Sequence, residues 1–104
     1  MSDLIKRLEA MLAAGSDGAA LRFGLAQALH KEGLSEAAAR HLEQAVQLDP
    51  GYSAAWKLLG RARADSGDSS AAADAWRKGV AAATQRGDKQ AAREMQVFLK
   101  RLER

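Results

Sequence analysis

Hydrophobic positions recur along this chain with the spacing of amphipathic helices. Leu21, Leu25 and Leu29 stand at i, i+4 and i+8, so they share one helix face, and similar stripes occur in five further segments. Glycines or the pair Pro50-Gly51 separate most of these segments, and both residue types interrupt a helix. The pattern predicts an all-α chain of about six helices packed as successive antiparallel hairpins, at approximately residues 3–14, 18–32, 36–48, 53–66, 70–84 and 88–103.

The pattern also repeats with a period of 34 residues, because an offset of 34 places Leu25 on Leu59 and Gly33 on Gly67. Small residues fall on small ones, and bulky residues fall on bulky ones. Each unit is predicted to be two helices joined by a turn at its glycine. A helical repeat of this length is typical of solenoids, in which each unit buries its apolar face against its neighbour.

Polar residues near the starts of three segments predict where those helices begin. Asp17, Ser35 and Ser53 have side chains that accept hydrogen bonds from the free amides of a first helical turn. We expect them to cap the second, third and fourth helices.

Two of these units resemble the tetratricopeptide repeat (TPR), whose signature is W-x2-L-G-x2-Y, then A-x3-F, then a proline near the end of the unit. Residues 56–60, Trp-Lys-Leu-Leu-Gly, match the opening, and Ala72 with Trp76 matches the middle. Residues 48–50, Leu-Asp-Pro, resemble the family's usual end. The chain departs from the signature where Arg22 replaces the tryptophan, Ala26 the glycine, Arg63 the tyrosine and Thr84 the second proline.

The resemblance implies a TPR-like α-solenoid that forms a single domain over residues 1–104. Its parts are an N-terminal half-repeat helix (1–16), repeat 1 (19–52), repeat 2 (53–86) and a C-terminal capping helix (87–104). About three repeats are needed for a stable array, so the two ends are expected to supply the remaining packing.

The end segments carry their own apolar stripes. In the first segment they are Leu4, Leu8 and Met11, which stand 34 positions before Ala38, Leu42 and Ala45 and so indicate the second helix of a truncated repeat. In the last segment they are Ala91, Met95, Phe98 and Leu102, beside Ala92 and Leu99. Continuing the period would turn Gln90, Arg93, Glu94 and Val97 toward the core. The last helix must therefore roll or shift relative to the repeat.

The composition mainly excludes certain classes of protein and of functional site. The 104 residues are 47% hydrophobic and 28% charged, as in a soluble globular protein. The absence of cysteine excludes disulfides, thiolate nucleophiles and cysteine-ligated metals. No segment approaches the ~20 apolar residues of a membrane span, and the first residues lack the apolar core of a signal peptide. We expect a cytoplasmic protein.

Motifs for catalysis are also missing. The sequence has no G-x-S-x-G, no G-x-x-x-x-G-K-[ST] and no G-x-G-x-x-G. His30 and His41 lack the spacing of a metal pair, and Asp65 and Asp68 are explained by hydrogen bonding to the backbone of a turn. We expect no enzymatic activity and no bound cofactor or metal.

In tetratricopeptide proteins, the first helices of successive units line a concave groove that holds a peptide or helix of a partner. On a helical wheel, Phe23, Gln27 and His30 cluster away from the leucine stripe of their helix. Lys57 and Arg61 take the corresponding positions in the next unit. The resemblance therefore implies a protein-protein interaction module that binds an unidentified protein or peptide at these five residues, and the two cations favour an acidic segment.

Phe23 has two interpretations, as an exposed anchor for the partner or as a residue buried by the rolled terminal helix. Chaperone-tail binding is not assigned. Some family members clamp the C-terminal carboxylate of such a tail with Lys, Asn and Arg side chains. Here Phe23 and Gln27 take the positions of the first Lys and Asn, and Leu58 takes that of the next Asn.

The uneven charge leaves an alternative function. From Ser53 onward the chain has eleven basic residues against six acidic ones, whereas up to Tyr52 it has five against seven. Nucleic acid or another polyanion could bind the basic half through Arg86, Lys89, Arg93, Lys100, Arg101 and Arg104. Interspersed acids and the lack of stacking aromatics make nucleic acid the weaker hypothesis. We expect a monomer or a weak dimer, since the terminal helix could swap between protomers.

Overall fold

The structure is a computed structural model that describes residues 2–103. This part of the chain forms six α-helices and no strand: α1 (Asp3–Ala13), α2 (Ala19–Lys31), α3 (Ser35–Leu48), α4 (Ser53–Asp65), α5 (Ser69–Arg86) and α6 (Lys89–Leu102). The predicted all-α fold of six helices is confirmed. Each predicted helix end lies within two residues of the observed one.

The helices pack in chain order as an elongated stack of 40 × 28 × 18 Å. α2 pairs with α3 and α4 with α5, which gives the two hairpins of the repeat, while α1 lies on α2 and α6 lies on α5 and α4. One core cluster surrounds Leu25, Leu42 and Leu59 and joins α1 to the two hairpins. A second cluster surrounds Trp76 and Met95 and joins α5 to α6.

Glycines with a positive φ angle end four of these helices. The φ angles are 98° at Gly15, 80° at Gly33, 87° at Gly67 and 78° at Gly87, a region that other residues rarely adopt. The amide after each glycine donates back to the last helical turn, as from Leu34 to the carbonyl of Leu29 at 2.9 Å. The predicted turns at Gly33 and Gly67 are confirmed.

The predicted caps at Asp17, Ser35 and Ser53 are wrong. The N-cap residues are Gly18, Leu34 and Tyr52, and none of them makes a side-chain capping bond. Ser35 and Ser53 are already the first residues of their helices, one position too late for a cap. The carboxylate of Asp17 instead accepts two hydrogen bonds of 2.9 Å from the guanidinium of Arg22.

α1 faces the core with a different edge from the apolar stripe found in the sequence. Ile5 is fully buried, whereas Leu4 and Met11 are 48% and 49% exposed. Within residues 2–103, α1 has only α2 as a neighbouring helix, and of the stripe of Leu4, Leu8 and Met11 only Leu8 packs partly against the core. The stripe therefore lies at the surface of the solenoid.

α6 is rolled, as expected from its apolar face. Met95 is fully buried, and Ala91 and Ala92 are buried beside it. Val97, which the uninterrupted period would turn inward, is 45% exposed. The roll lets α6 close this end of the solenoid with its apolar side.

Trp76 joins α4, α5 and α6. Its ring lies over Gly60, where the absence of a side chain leaves the room for it. The indole Nε1 donates to the carbonyl of Lys57 at 3.1 Å, and the ring packs against Phe98 with their centroids 5.1 Å apart. Trp76 is only 5% exposed, so its ring is buried between its own unit and the cap.

Arg22, at the position of the signature tryptophan, links Asp17 to α3. Its guanidinium donates to Nδ1 of His41 at 3.1 Å. To accept this hydrogen bond, Nδ1 must carry no proton, as in the neutral imidazole. Burial, reinforced by the positive charge of Arg22, lowers the pKa of His41 from its ordinary value, while Glu9 acts in the opposite direction. The neutral form is therefore the one that suits the folded state.

We expect Trp76→Ala to lower the free energy of unfolding by about 3–5 kcal/mol, because it removes a large buried ring and leaves a cavity. So small an array should then be largely unfolded. Urea denaturation followed by circular dichroism measures the change. Arg77→Ala, at an exposed position of the same helix, is the control and should cost less than about 0.5 kcal/mol. An equally small loss for Trp76→Ala would place the ring outside the core.

Gly24 and Gly60 form a matched pair of glycines inside helices. A Cβ at Gly60 would clash with the Trp76 ring, whereas a Cβ at Gly24 would meet no atom within 4 Å. Gly24→Ala should raise the free energy of unfolding by roughly 0.5–1 kcal/mol, because alanine favours helix over glycine. Gly60→Ala should lower it by about 1–3 kcal/mol through overpacking. Chemical denaturation measures the free energy of unfolding of both variants. A Gly60→Ala variant more stable than the wild type would contradict the close packing of Trp76 on Gly60.

The stability of the fold should fall as the pH drops below about 6.5, the ordinary pKa of histidine. In this range unfolded His41 takes up a proton that folded His41 resists, so the unfolded state binds more protons and acid favours it. Thermal denaturation between about pH 7.5 and about pH 5 measures the slope of stability against pH. His41→Gln keeps an acceptor but does not titrate, so it should flatten the slope. An unchanged slope in this variant would show that His41 does not cause it.

Candidate functional site

All five predicted site residues line one open groove. Phe23, Gln27 and His30 project from α2, and Lys57 and Arg61 project from α4, around a volume of about 930 Å³. α1 closes one side of the groove. The five residues meet because the 34-residue period places them at equivalent positions of consecutive units, whose first helices lie side by side.

The floor of the groove is apolar. It includes Leu8 of α1, Phe23 and Ala28 of α2, and Ala54 and Leu58 of α4. All five are half-buried, so each retains surface that a bound segment could cover. Apolar lining with polar groups at its edge is the usual composition of a binding groove.

Phe23 is half-buried, and its neighbour is not the one that the sequence suggested. Its ring lies 5.1 Å from the ring of Tyr52, between centroids, at an interplanar angle of 38°. α6 lies on α4 and α5 and contributes no residue to the groove. The interpretation in which the terminal helix buries Phe23 is therefore wrong. The position of Tyr52 at the end of a repeat gives no signal of this contact in the sequence.

Lys57 and Arg61 differ in their surroundings. The ammonium of Lys57 lies 3.3 Å from the carboxylate of Glu94, which the rolled α6 brings to this side of α4. Arg61 is exposed, and among the described residues no carboxylate lies within ion-pair distance of it. The predicted cationic pair is thus one partly neutralised charge and one free charge.

His30 stands at the edge of the groove, where its Nε2 lies 2.8 Å from the carboxylate of Asp65 at the end of α4. The sequence suggested that Asp65 bonds to the backbone of a turn, and this interpretation is wrong. Asp68 does act locally, because it accepts a hydrogen bond of 3.0 Å from the amide of Ala71 and caps α5. Gln27 is exposed between His30 and Phe23.

The charged side chains that line the groove are all basic. Its lining contains His30, Lys31, Lys57 and Arg61 and no acidic residue. An anionic segment would meet several donors and no carboxylate of the lining itself. The acidic groups that do lie close to this lining are Glu94 at Lys57 and Asp65 at His30, both outside it.

The described residues of the alternative basic surface lie at the end of α5 and along α6. Arg86 lies 2.8 Å from Asp49 and is paired with it, while Lys89, Arg93, Lys100 and Arg101 are exposed along α6. Arg104 lies outside the described residues. In the part of the chain that the structure covers, three or more potential metal ligands never come together, and no helix is long and apolar enough to cross a membrane.

Three proteins show what this chain is similar to. A TPR repeat-containing protein of Pseudomonas aeruginosa is 52% identical over 101 residues, which are 97% of this chain and 96% of that protein. The solution structure of a protein from Bordetella parapertussis is 47% identical with a TM-score of 0.84, and the match covers 99% of this chain and 90% of that one. The Sgt2 TPR domain from Aspergillus fumigatus is 28% identical with a TM-score of 0.73, over 92% of this chain and 66% of that one.

The family model for the tetratricopeptide repeat matches residues 19–62, which span α2, α3 and most of α4. The match and the close relative agree with the helical hairpins and their period. The chain belongs to the tetratricopeptide repeat family.

Proposed function

We propose that this chain is a non-enzymatic module that binds a peptide or helix of a partner protein in the groove, at Phe23, Gln27, His30, Lys57 and Arg61. The tetratricopeptide fold is typical of protein-protein interaction modules. One observation carries the proposal. Residues from two consecutive units line a single open groove with an apolar floor and a cationic edge.

The lining favours a segment with one apolar anchor and nearby carboxylates. Phe23 and Leu58 offer half-buried apolar surface that an anchor would bury fully. Arg61 is available for a carboxylate, either an acidic side chain or the C-terminus of the partner. Lys57 should contribute less, because its ammonium is already paired with the carboxylate of Glu94. A partner would have to displace this carboxylate or share the ammonium with it.

We expect Phe23→Ala to weaken partner binding more than Lys57→Ala. A buried aromatic anchor contributes about 2 kcal/mol or more, whereas an exposed ion pair contributes about 0–1 kcal/mol. The losses should be about 30-fold or more against at most about fivefold. An affinity pull-down from the native host, with wild type and a Phe23→Ala/Arg61→Ala double variant, identifies the partner. Titration calorimetry with that partner then measures each loss.

Two exposed side chains outside the groove lining provide matched controls. Leu48→Ala removes an apolar side chain that is 53% exposed, and Arg77→Ala removes a cation. Both should leave the affinity unchanged. Because Phe23 also contacts Tyr52, circular dichroism must show that Phe23→Ala remains folded before its affinity is interpreted.

Chemical-shift mapping with the identified partner decides between the groove and the basic surface. The proposal expects perturbations at the five groove residues that survive moderate salt, because the anchor is apolar. Perturbations that concentrate on residues 86–104 and vanish at moderate salt would contradict the groove proposal. They would support polyanion binding instead, since phosphate contacts depend steeply on salt.

A further inference from the structure

Two helices at equivalent positions of the repeat differ in how their inner faces are covered. In α3, which lies between α2 and α4, Ala38, Leu42 and Ala45 are completely buried. The equivalent stripe of α1, 34 residues earlier, is Leu4, Leu8 and Met11. Leu4 and Met11 are about half exposed, and Leu8 is half-buried. The face that α2 and α4 cover in α3 is thus apolar in α1 as well, but there it is covered only in part.

Gly24 provides a second observation at the same place. It lies in the middle of α2, where glycine is the least favourable residue apart from proline. The other two glycines inside helices have a packing reason, because Trp76 lies against Gly60 and Met95 lies against Gly79. No atom of the described chain comes within 4 Å of a Cβ placed on Gly24, which lines the groove together with Leu4 and Leu8.

The position of Gly24 in the repeat indicates which side of α2 this open space adjoins. Its equivalent 34 residues later is Leu58, which lines the groove and packs against the core cluster that α4 shares with α2. Leu58 faces the unit that precedes its own, and by the period Gly24 also faces the unit that precedes its own. In residues 2–103 this unit consists of α1 alone.

From these contacts we propose that an acidic amphipathic helix of a partner docks between α1 and α2, on Leu4, Leu8 and Met11 and against Gly24, and packs on α1 as α2 packs on α3. This inference rests on the proposed function, and it names the form and the place of the bound segment. The missing side chain of Gly24 lets the docked helix approach α2 as closely as Trp76 approaches α4 at Gly60.

Charge indicates the chemistry of the docked helix. On the helical wheel of α1, Arg7 borders the apolar stripe on the side away from Ile5. On the other side of the proposed position, Lys31 lines the groove. A helix with acidic residues on both flanks of its apolar face would match these cations. A second copy of this chain would bring two such cationic borders together, which disfavours self-association through this face.

The probe for the test is a synthetic peptide of 14 residues, the length of α3. Leucines occupy one helix face, and glutamates and alanines occupy the rest. A second peptide of identical composition, rearranged so that the leucines share no face, is its control. Fluorescence anisotropy measures affinity, circular dichroism measures the helicity gained on binding, and chemical-shift mapping locates the bound peptide.

We expect the patterned peptide to bind at least about tenfold more tightly than the rearranged one, to become helical, and to shift the amides of Leu4, Leu8, Met11 and Gly24. Gly24→Gln should weaken this binding about tenfold or more without lowering the melting temperature, because glutamine is a good helix former and its Cβ meets no atom within 4 Å. Ala81→Gln, which introduces the same side chain at an exposed position of α5, should change neither quantity.

Other outcomes overturn the inference in distinguishable ways. Equal binding of both peptides, with shifts confined to Lys57 and Arg61, would reject helix docking and leave the proposed groove function intact. No binding of either peptide would reject helix docking, and the Phe23→Ala measurement would then decide the groove function by itself. A dimer in sedimentation experiments that Gly24→Gln abolishes would mean that a second copy covers this face.

Discussion

The contact between Trp76 and Gly60 sets how closely α4 and α5 approach, and much of the remaining structure follows from it. The indole ring takes the space that a side chain at position 60 would fill. Its N–H bonds to the carbonyl of Lys57, which holds in place the helix that carries Lys57 and Arg61. The ring also packs on Phe98 and so orients α6. One residue thereby connects the repeat, the terminal cap and the groove.

Elsewhere the core is built from small side chains. Many of the fully buried positions are alanines, which allow close helix approach but each bury little apolar area. The large side chains that are completely buried are Ile5, Leu25, Leu42, Leu59 and Met95. Stability is therefore concentrated in a few residues, and losing one of them should cost more than in a core with many large side chains.

The two ends of the described solenoid are closed differently. α6 rolls until Met95 is buried and Val97 faces outward, and in this orientation it also brings Glu94 to Lys57. α1 buries only one edge and leaves Leu4 and Met11 exposed beside the groove. Terminal units of solenoids are expected to present a polar outer face, so an apolar one at the groove is a feature that binding would explain.

The sequence by itself determined the six helices, their order and the positions of the groove residues, because apolar spacing, glycine turns and a 34-residue period are local or strictly periodic signals. It failed at the caps, because Arg22 competes for Asp17 and because Ser35 and Ser53 lie one position past the N-cap. Only the tertiary structure decided which partners the groove residues have: Tyr52 beside Phe23, Asp65 at His30 and Glu94 at Lys57. These contacts join residues that are far apart in the sequence, and their formation depends on how the units stack and how far α6 rolls. The period of the sequence does not encode that rotation, because α6 departs from it.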